Sequence, residues 1–115
     1  MTVTIYHNPR CSKSRATLEL LQARGIEPDI VRYLETPPDA ATLADLLGKL
    51  DMTPRELLRR GESEYRDLGL DDPSVNDDAV IAAMVSHPKL IERPIVIANG
   101  KAAIGRPPES VLEIL

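Results

Sequence analysis

Val3-Thr4-Ile5-Tyr6-His7-Asn8-Pro9-Arg10-Cys11-Ser12-Lys13-Ser14-Arg15 is the most informative run in the chain. Residues 3 to 6 alternate in the manner of a strand, and Asn8-Pro9 breaks it. From Ser12 a helical pattern runs to Arg24, with Leu18 and Leu21 on one face and Gly25 as its stop. Pro28 to Leu34 then reads as a second strand through Ile30, Val31 and Tyr33. A strand, a helix and a strand in that order predict a parallel β-α-β unit with a right-handed crossover. The loop holding Cys11 therefore falls at the carboxyl edge of the first strand, where it turns into a helix.

Beyond this unit the chain becomes helical. Thr36 and Pro37 open a segment whose Leu43, Leu46, Leu47 and Leu50 follow the i, i+3, i+4, i+7 stripe of a core-facing helix. Thr53, Pro54 and Glu56 form a capping-box pattern that predicts a short helix carrying Leu57, Leu58, Arg59 and Arg60, ended by Gly61. After a polar stretch, Asn76 caps a helix through Val80, Ile81 and Met84 that stops near His87-Pro88. Residues 36 to 88 thus read as a helical insertion. The chain then returns to strands, Pro94 to Ala98 and Lys101 to Ile104, joined by the hairpin signal Asn99-Gly100, and a terminal helix opens at Pro107-Pro108. This order predicts an α/β, thioredoxin-like (glutaredoxin-like) mixed sheet with an inserted helical subdomain, organised as one domain over residues 1–115.

Size and composition fit that plan. The 115 residues are near the modal length of one domain, and such a chain buries about two-thirds of its unfolded surface. The 43% hydrophobic and 28% charged content is that of a globular protein, and the longest apolar run, Ala79 to Val85, is far too short to span a bilayer. No basic region leads into an apolar segment after Met1, so the expectation is a cytoplasmic protein with no membrane partner. A net charge of −4 argues against nucleic-acid binding, which calls for clustered positive charge. The cations are nonetheless ten arginines to four lysines, and guanidinium forks suit small oxyanions. One cysteine excludes an internal disulfide and a multi-cysteine metal site. The expectation is also of no metal and no tightly bound cofactor.

The chemistry concentrates at Cys11. A thiol at a helix amino terminus faces unpaired backbone N–H groups and the positive end of the helix dipole, both of which favour thiolate. Lowering a thiol pKa by roughly two units from about 8.5 takes only ~2.7 kcal/mol and makes most of it thiolate at neutral pH. His7, Asn8, Arg10, Ser12, Lys13, Ser14 and Arg15 surround the sulfur with amides, hydroxyls and cations, and are the candidates for thiolate tuning and anion binding. His7, if protonated, would stabilise the thiolate. Read alone, the same cysteine also fits an inert packed thiol. Cys11-Ser12-Lys13-Ser14 is CxxS, so any resolving thiol comes from another molecule.

Ile5 to Cys11, Ser14-Arg15, Tyr33-Leu34-Glu35, Leu57-Leu58-Arg59, Arg93-Pro94-Ile95-Val96 and Gly105-Arg106-Pro107 together resemble the glutathione and glutaredoxin-linked arsenate reductases, closest to their shorter arsenate-reductase-like branch. The resemblance spans essentially the whole chain. It implies that Cys11 attacks arsenate, that Arg59, Arg93 and Arg106 surround the anion and its adduct, and that Pro94 is a cis-proline beside the thiol. Arg60, one residue along the expected helix, competes with Arg59. Glutathione as co-substrate and glutaredoxin as partner follow from the same resemblance. At Ser12-Lys13 the chain departs from the family's frequent Gly-Thr, adding a charge. Two other readings keep the reactive thiol or the fold without this substrate: a thiol oxidoreductase acting on other substrates, and a redox-linked regulator that binds RNA polymerase.

Overall fold

The computed structural model describes residues 2–115. The chain divides into two compact units, one formed by the segment ending at Thr36 together with Arg93–Leu115, the other by Pro37–Glu92.

The first unit carries the sheet. Strand β1 (Val3–Tyr6) leads to helix α1 (Ser12–Ala23) and strand β2 (Asp29–Val31), and the chain re-enters this unit as β3 (Ile95–Ala98) and β4 (Lys101–Ile104). The strand order is β2-β1-β3-β4. β1 pairs with β2 in parallel, Ile5 opposite Ile30, while β1–β3 and β3–β4 are antiparallel, with Ile5 opposite Val96 and Ile95 opposite Ile104. This mixed sheet with its crossover helix is the thioredoxin-like fold. Asn99 and Gly100 both take positive φ, 55° and 73°, as a two-residue hairpin turn requires. Val3, Ile5, Leu21, Val96, Ala98 and Val111 form the core, with Leu18 packed at its margin.

The second unit is helical: α2 (Ala40–Leu50), α3 (Pro54–Leu57), α4 (Ser63–Asp67) and α5 (Asp77–Ser86). Leu43, Leu46, Leu47, Leu57, Val80 and Met84 are buried, and α5 packs against both α2 and α3. The Thr53 capping box forms in full, its hydroxyl accepting from the Glu56 amide while Glu56 accepts from the Thr53 amide. Asn76 caps α5 through the Ala79 amide.

Several boundaries differ from expectation. β2 stops at Val31, and residues 32–36 form a turn in which the Glu35 and Thr36 amides both donate to the Arg32 carbonyl, with Tyr33 buried. α2 begins at Ala40 rather than at Thr36 or Pro37, because residues before proline are driven into extended backbone, and Asp39 caps it through the Thr42 amide. α3 ends at Leu57: Leu58 is extended and bridges Ile91, and the Arg59 amide donates to the Leu90 carbonyl. Arg59 and Arg60 are therefore not consecutive positions on a helix. The polar stretch after Gly61 contains α4, and the terminal helix is 3-10 over Pro108–Ile114.

Candidate functional site

Cys11 is the N-cap residue of α1, with extended backbone (φ −91°, ψ 124°), and the first helical bond runs from the Arg15 amide to its carbonyl. The loop that delivers it is held by its own polar groups. The Asn8 side chain accepts from the Arg10 amide and the Asn8 carbonyl from the Cys11 amide, both at 3.0 Å, while an Arg15 guanidinium N–H donates to the Pro9 carbonyl at 3.1 Å. No acidic residue occupies the first turn of α1, so nothing there competes with a thiolate for the positive helix end.

Cys11 is buried, at 8% exposure. Burial by itself pushes the thiol pKa up. The Ser14 amide, the Arg93 guanidinium through both its hydrogen bond and its charge, and the Lys13 amide more than reverse this, and the net result is a pKa below the ordinary thiol value. The sulfur makes no full capping hydrogen bond, but these amide dipoles face it closely enough to favour the anion. Arg106 arrives from the other end of the sequence: its Nη2 lies 3.5 Å from Cys11 Sγ, and its Nε donates to the Arg93 carbonyl at 2.8 Å. Arg93 thus contributes its side chain to the sulfur and its backbone to the arginine beside it. The Arg93–Pro94 peptide bond is cis, as is Arg106–Pro107.

Gly105 explains how these segments come so close. A Cβ there would stand 2.3 Å from Thr17 Oγ1 and 2.8 Å from Pro94 Cγ. Only glycine lets the exit of β4 lie against both α1 and Pro94, and the Gly105 amide donates to the Pro94 carbonyl at 3.0 Å. Thr17 is fully buried and its hydroxyl donates to the Lys13 carbonyl at 2.8 Å, so it has little room to yield.

His7 and Ser14 form a buried pair behind the loop. The Ser14 hydroxyl shares a 2.6 Å hydrogen bond with His7 Nδ1 and accepts from the Asn8 amide at 3.0 Å. Burial, then the charges of Arg32 and Arg15, hold the His7 pKa below its ordinary value, so the ring is neutral at neutral pH. The condition of a protonated ring is therefore disfavoured, and His7 meets Ser14, whose amide faces the sulfur. The Ser14 hydroxyl is likewise committed to the protein interior rather than turned to an anion.

The remaining candidates divide. Arg10, Ser12, Lys13 and Arg15 are exposed on the loop or first turn of α1, with Arg15 acting as a brace on Pro9. Arg59 belongs to the helical unit, where its Nη1 pairs with Glu92 at 2.7 Å and its Nε with Glu62 at 3.4 Å. Arg60 is exposed. Sequence reasoning missed Thr17, whose packing against Gly105 leaves no pattern, and Arg32, marked only as a basic residue at a strand end. Among the described residues no group of three or more His, Cys, Asp or Glu is arranged to hold a metal, and no helix is long and apolar enough to cross a membrane. The arrangement is a single thiol whose pKa is lowered, flanked by two guanidinium groups, and it is suited to attack an anionic electrophile.

Known proteins resemble this chain over nearly its whole length. The ArsC family model matches residues 6–114. An uncharacterized protein of Escherichia coli (strain K12), YfgD, is 64% identical over 98% of this chain and 96% of its own length. An arsenate reductase of Neisseria meningitidis serogroup B (strain ATCC BAA-335 / MC58) is 51% identical over 98% of this chain and 97% of its own. The solved structure of an arsenate reductase from Vibrio cholerae superposes with a TM-score of 0.98 at 54% identity, covering 100% of this chain and 98% of that one.

Proposed function

This chain belongs to the ArsC family, and from that membership and the geometry of its thiol we propose that it reduces arsenate to arsenite, with Cys11 as nucleophile and glutathione and glutaredoxin as the external thiols. The observation that carries the reading is the pair of arginines at the sulfur: Arg93 lowers the thiol pKa and Arg106 Nη2 stands 3.5 Å from Sγ.

Arsenate is an anion, and a thiolate approaching it meets repulsion that fixed guanidinium groups offset. Cys11 Sγ attacks arsenic(V), an As–O bond breaks, and the oxygen leaves as water once protonated, giving a cysteine–arsenic adduct. Glutathione then attacks the Cys11 sulfur, the S–As bond breaks, and its electron pair stays on arsenic. Arsenite departs and a Cys11–glutathione disulfide remains. Glutaredoxin takes the glutathione and returns Cys11 to the thiol. Two thiols are oxidised as arsenic gains two electrons, and with a lone cysteine both later thiols must come from outside.

Removing the guanidinium of Arg93 or Arg106 is expected to cost about 2–4 kcal/mol of transition-state stabilisation, by analogy with oxyanion-hole donors. A third share for Arg59 rests on the family resemblance alone. The test is an NADPH-linked assay with glutathione, glutathione reductase and glutaredoxin, on wild type and Cys11→Ser. Arsenate-dependent oxidation is expected in the wild type only. Turnover of small disulfides without any arsenate-dependent rate would reassign the thiol to general disulfide exchange.

A further inference from the structure

Beside the Cys11 loop, and distinct from the arginines at the sulfur, lies a cavity of about 190 Å³ between residues 7–10 and the turn of residues 32–35. It holds roughly six waters' worth of liquid at ~30 Å³ each, below the size of a drug-like pocket and enough for one end of a small molecule. Its wall is more apolar than polar, with Pro9 and Leu34 contributing, and Leu34 is 37% exposed.

Its charge is unusual for a chain of net −4. Arg10 and Arg32 line it against the single carboxylate of Glu35, and among the described residues none of these three is held in an ion pair. His7, the fourth titratable group on the wall, is kept neutral in part by the Arg32 charge itself. The cavity therefore offers two guanidinium groups against one carboxylate over a largely apolar wall, a lining whose net positive charge suits a carboxylate ligand. Arg10 immediately precedes the residue that carries the sulfur. In glutathione the glycyl carboxylate likewise lies one residue from the thiol, within about 7 Å of extended chain.

We infer that this cavity receives the glycyl carboxylate of glutathione while the glutathione sulfur meets Cys11, with Arg32 as the residue that selects an anionic thiol over a neutral one. The inference rests on Cys11 exchanging with an external thiol, as the proposed cycle requires, but its test needs no arsenate.

The test follows the Cys11 thiolate attacking oxidised glutathione: a protein–glutathione disulfide forms, the original S–S bond breaks and glutathione thiolate leaves. The rate is compared with that for 2-hydroxyethyl disulfide, which is neutral, and for oxidised glutathione esterified at its glycyl carboxylates, by mass spectrometry on wild type, Arg32→Ala and Arg32→Glu. Arg32→Ala is expected to lower the glutathione rate about three- to fivefold, the upper range of an exposed ion pair, with a larger loss for Arg32→Glu. The neutral and esterified disulfides should be unaffected by either change. Raising the salt to about 1 M should erase the difference. Equal rates for glutathione in all three proteins, or an equal fall for every disulfide, overturns the inference. Absence of arsenate turnover with the charge preference intact rejects the proposed substrate and leaves this site standing; arsenate turnover without the preference does the reverse.

Discussion

Gly105→Ala tests the packing that brings Arg106 to the sulfur. The added methyl would sit 2.3 Å from Thr17 Oγ1, 2.8 Å from Pro94 Cγ and 3.2 Å from Thr17 Cγ2, whereas ordinary contact begins near 3.4 Å. The segment must therefore open by about 1 Å, because Thr17 is buried and tied to the Lys13 carbonyl. Overpacking of this kind costs about 1–3 kcal/mol, a fall in Tm of roughly 4–12 °C for a domain of this size. The displacement passes directly to Arg106, the next residue, and a 1 Å error in a positioning group can cost on the order of 10²-fold in rate. Thermal unfolding followed by circular dichroism, and arsenate turnover in the coupled assay, give the two readouts. Thr17→Ala in the same chain removes two of the three close contacts and should recover part of both losses relative to Thr17→Ala alone, while Thr17→Ser, which keeps the hydroxyl, should not. An unchanged Tm and rate in Gly105→Ala, or strict additivity with Thr17→Ala, would rule out this account of the packing.

Alkylation of Cys11 by iodoacetamide should rise with pH about a midpoint below the ordinary thiol value, and Arg93→Ala should move that midpoint upward because a hydrogen bond and a positive charge are lost together. A midpoint that stays put in Arg93→Ala contradicts the geometry. Because the folded pKa of His7 lies below 6.5, the unfolded chain takes up that proton first. Its contribution to stability is full above about pH 6.5 and is lost as pH falls through the folded value. Denaturant midpoints of wild type should accordingly fall faster below that pH than those of His7→Asn, and parallel curves would count against a buried neutral ring. In the helical unit, Arg55 donates to the carbonyls of Leu70, Asp72 and Val75 at 2.7–2.9 Å, so Arg55→Ala should destabilise by about 1–3 kcal/mol in urea titration, with a loss under about 0.5 kcal/mol assigning those carbonyls to water instead.

Local signals carried much of the fold. The alternating Val3–Tyr6 run, the break at Asn8-Pro9 and the Gly25 stop placed β1 and α1, and Asn99-Gly100 placed the β3–β4 hairpin, because each depends on backbone preferences of adjacent residues. Signals failed where tertiary contacts override propensity. Leu58 and Arg59 continue a helical pattern, yet the chain leaves the helix there to pair with Leu90 and Ile91, over thirty residues away.

That Cys11 stands at a helix amino terminus, with no second thiol to resolve it, is legible in the bare chain, since both facts are local or countable. What acts on that sulfur is a property of the folded molecule. Arg93 and Arg106 reach it because the bare backbone of Gly105 lets a strand end lie against Thr17 and Pro94, and His7 is neutral because folding buries it among the charges of Arg15 and Arg32. Distances across ninety residues and the dielectric around a ring arise from packing, and no spacing along the chain encodes them.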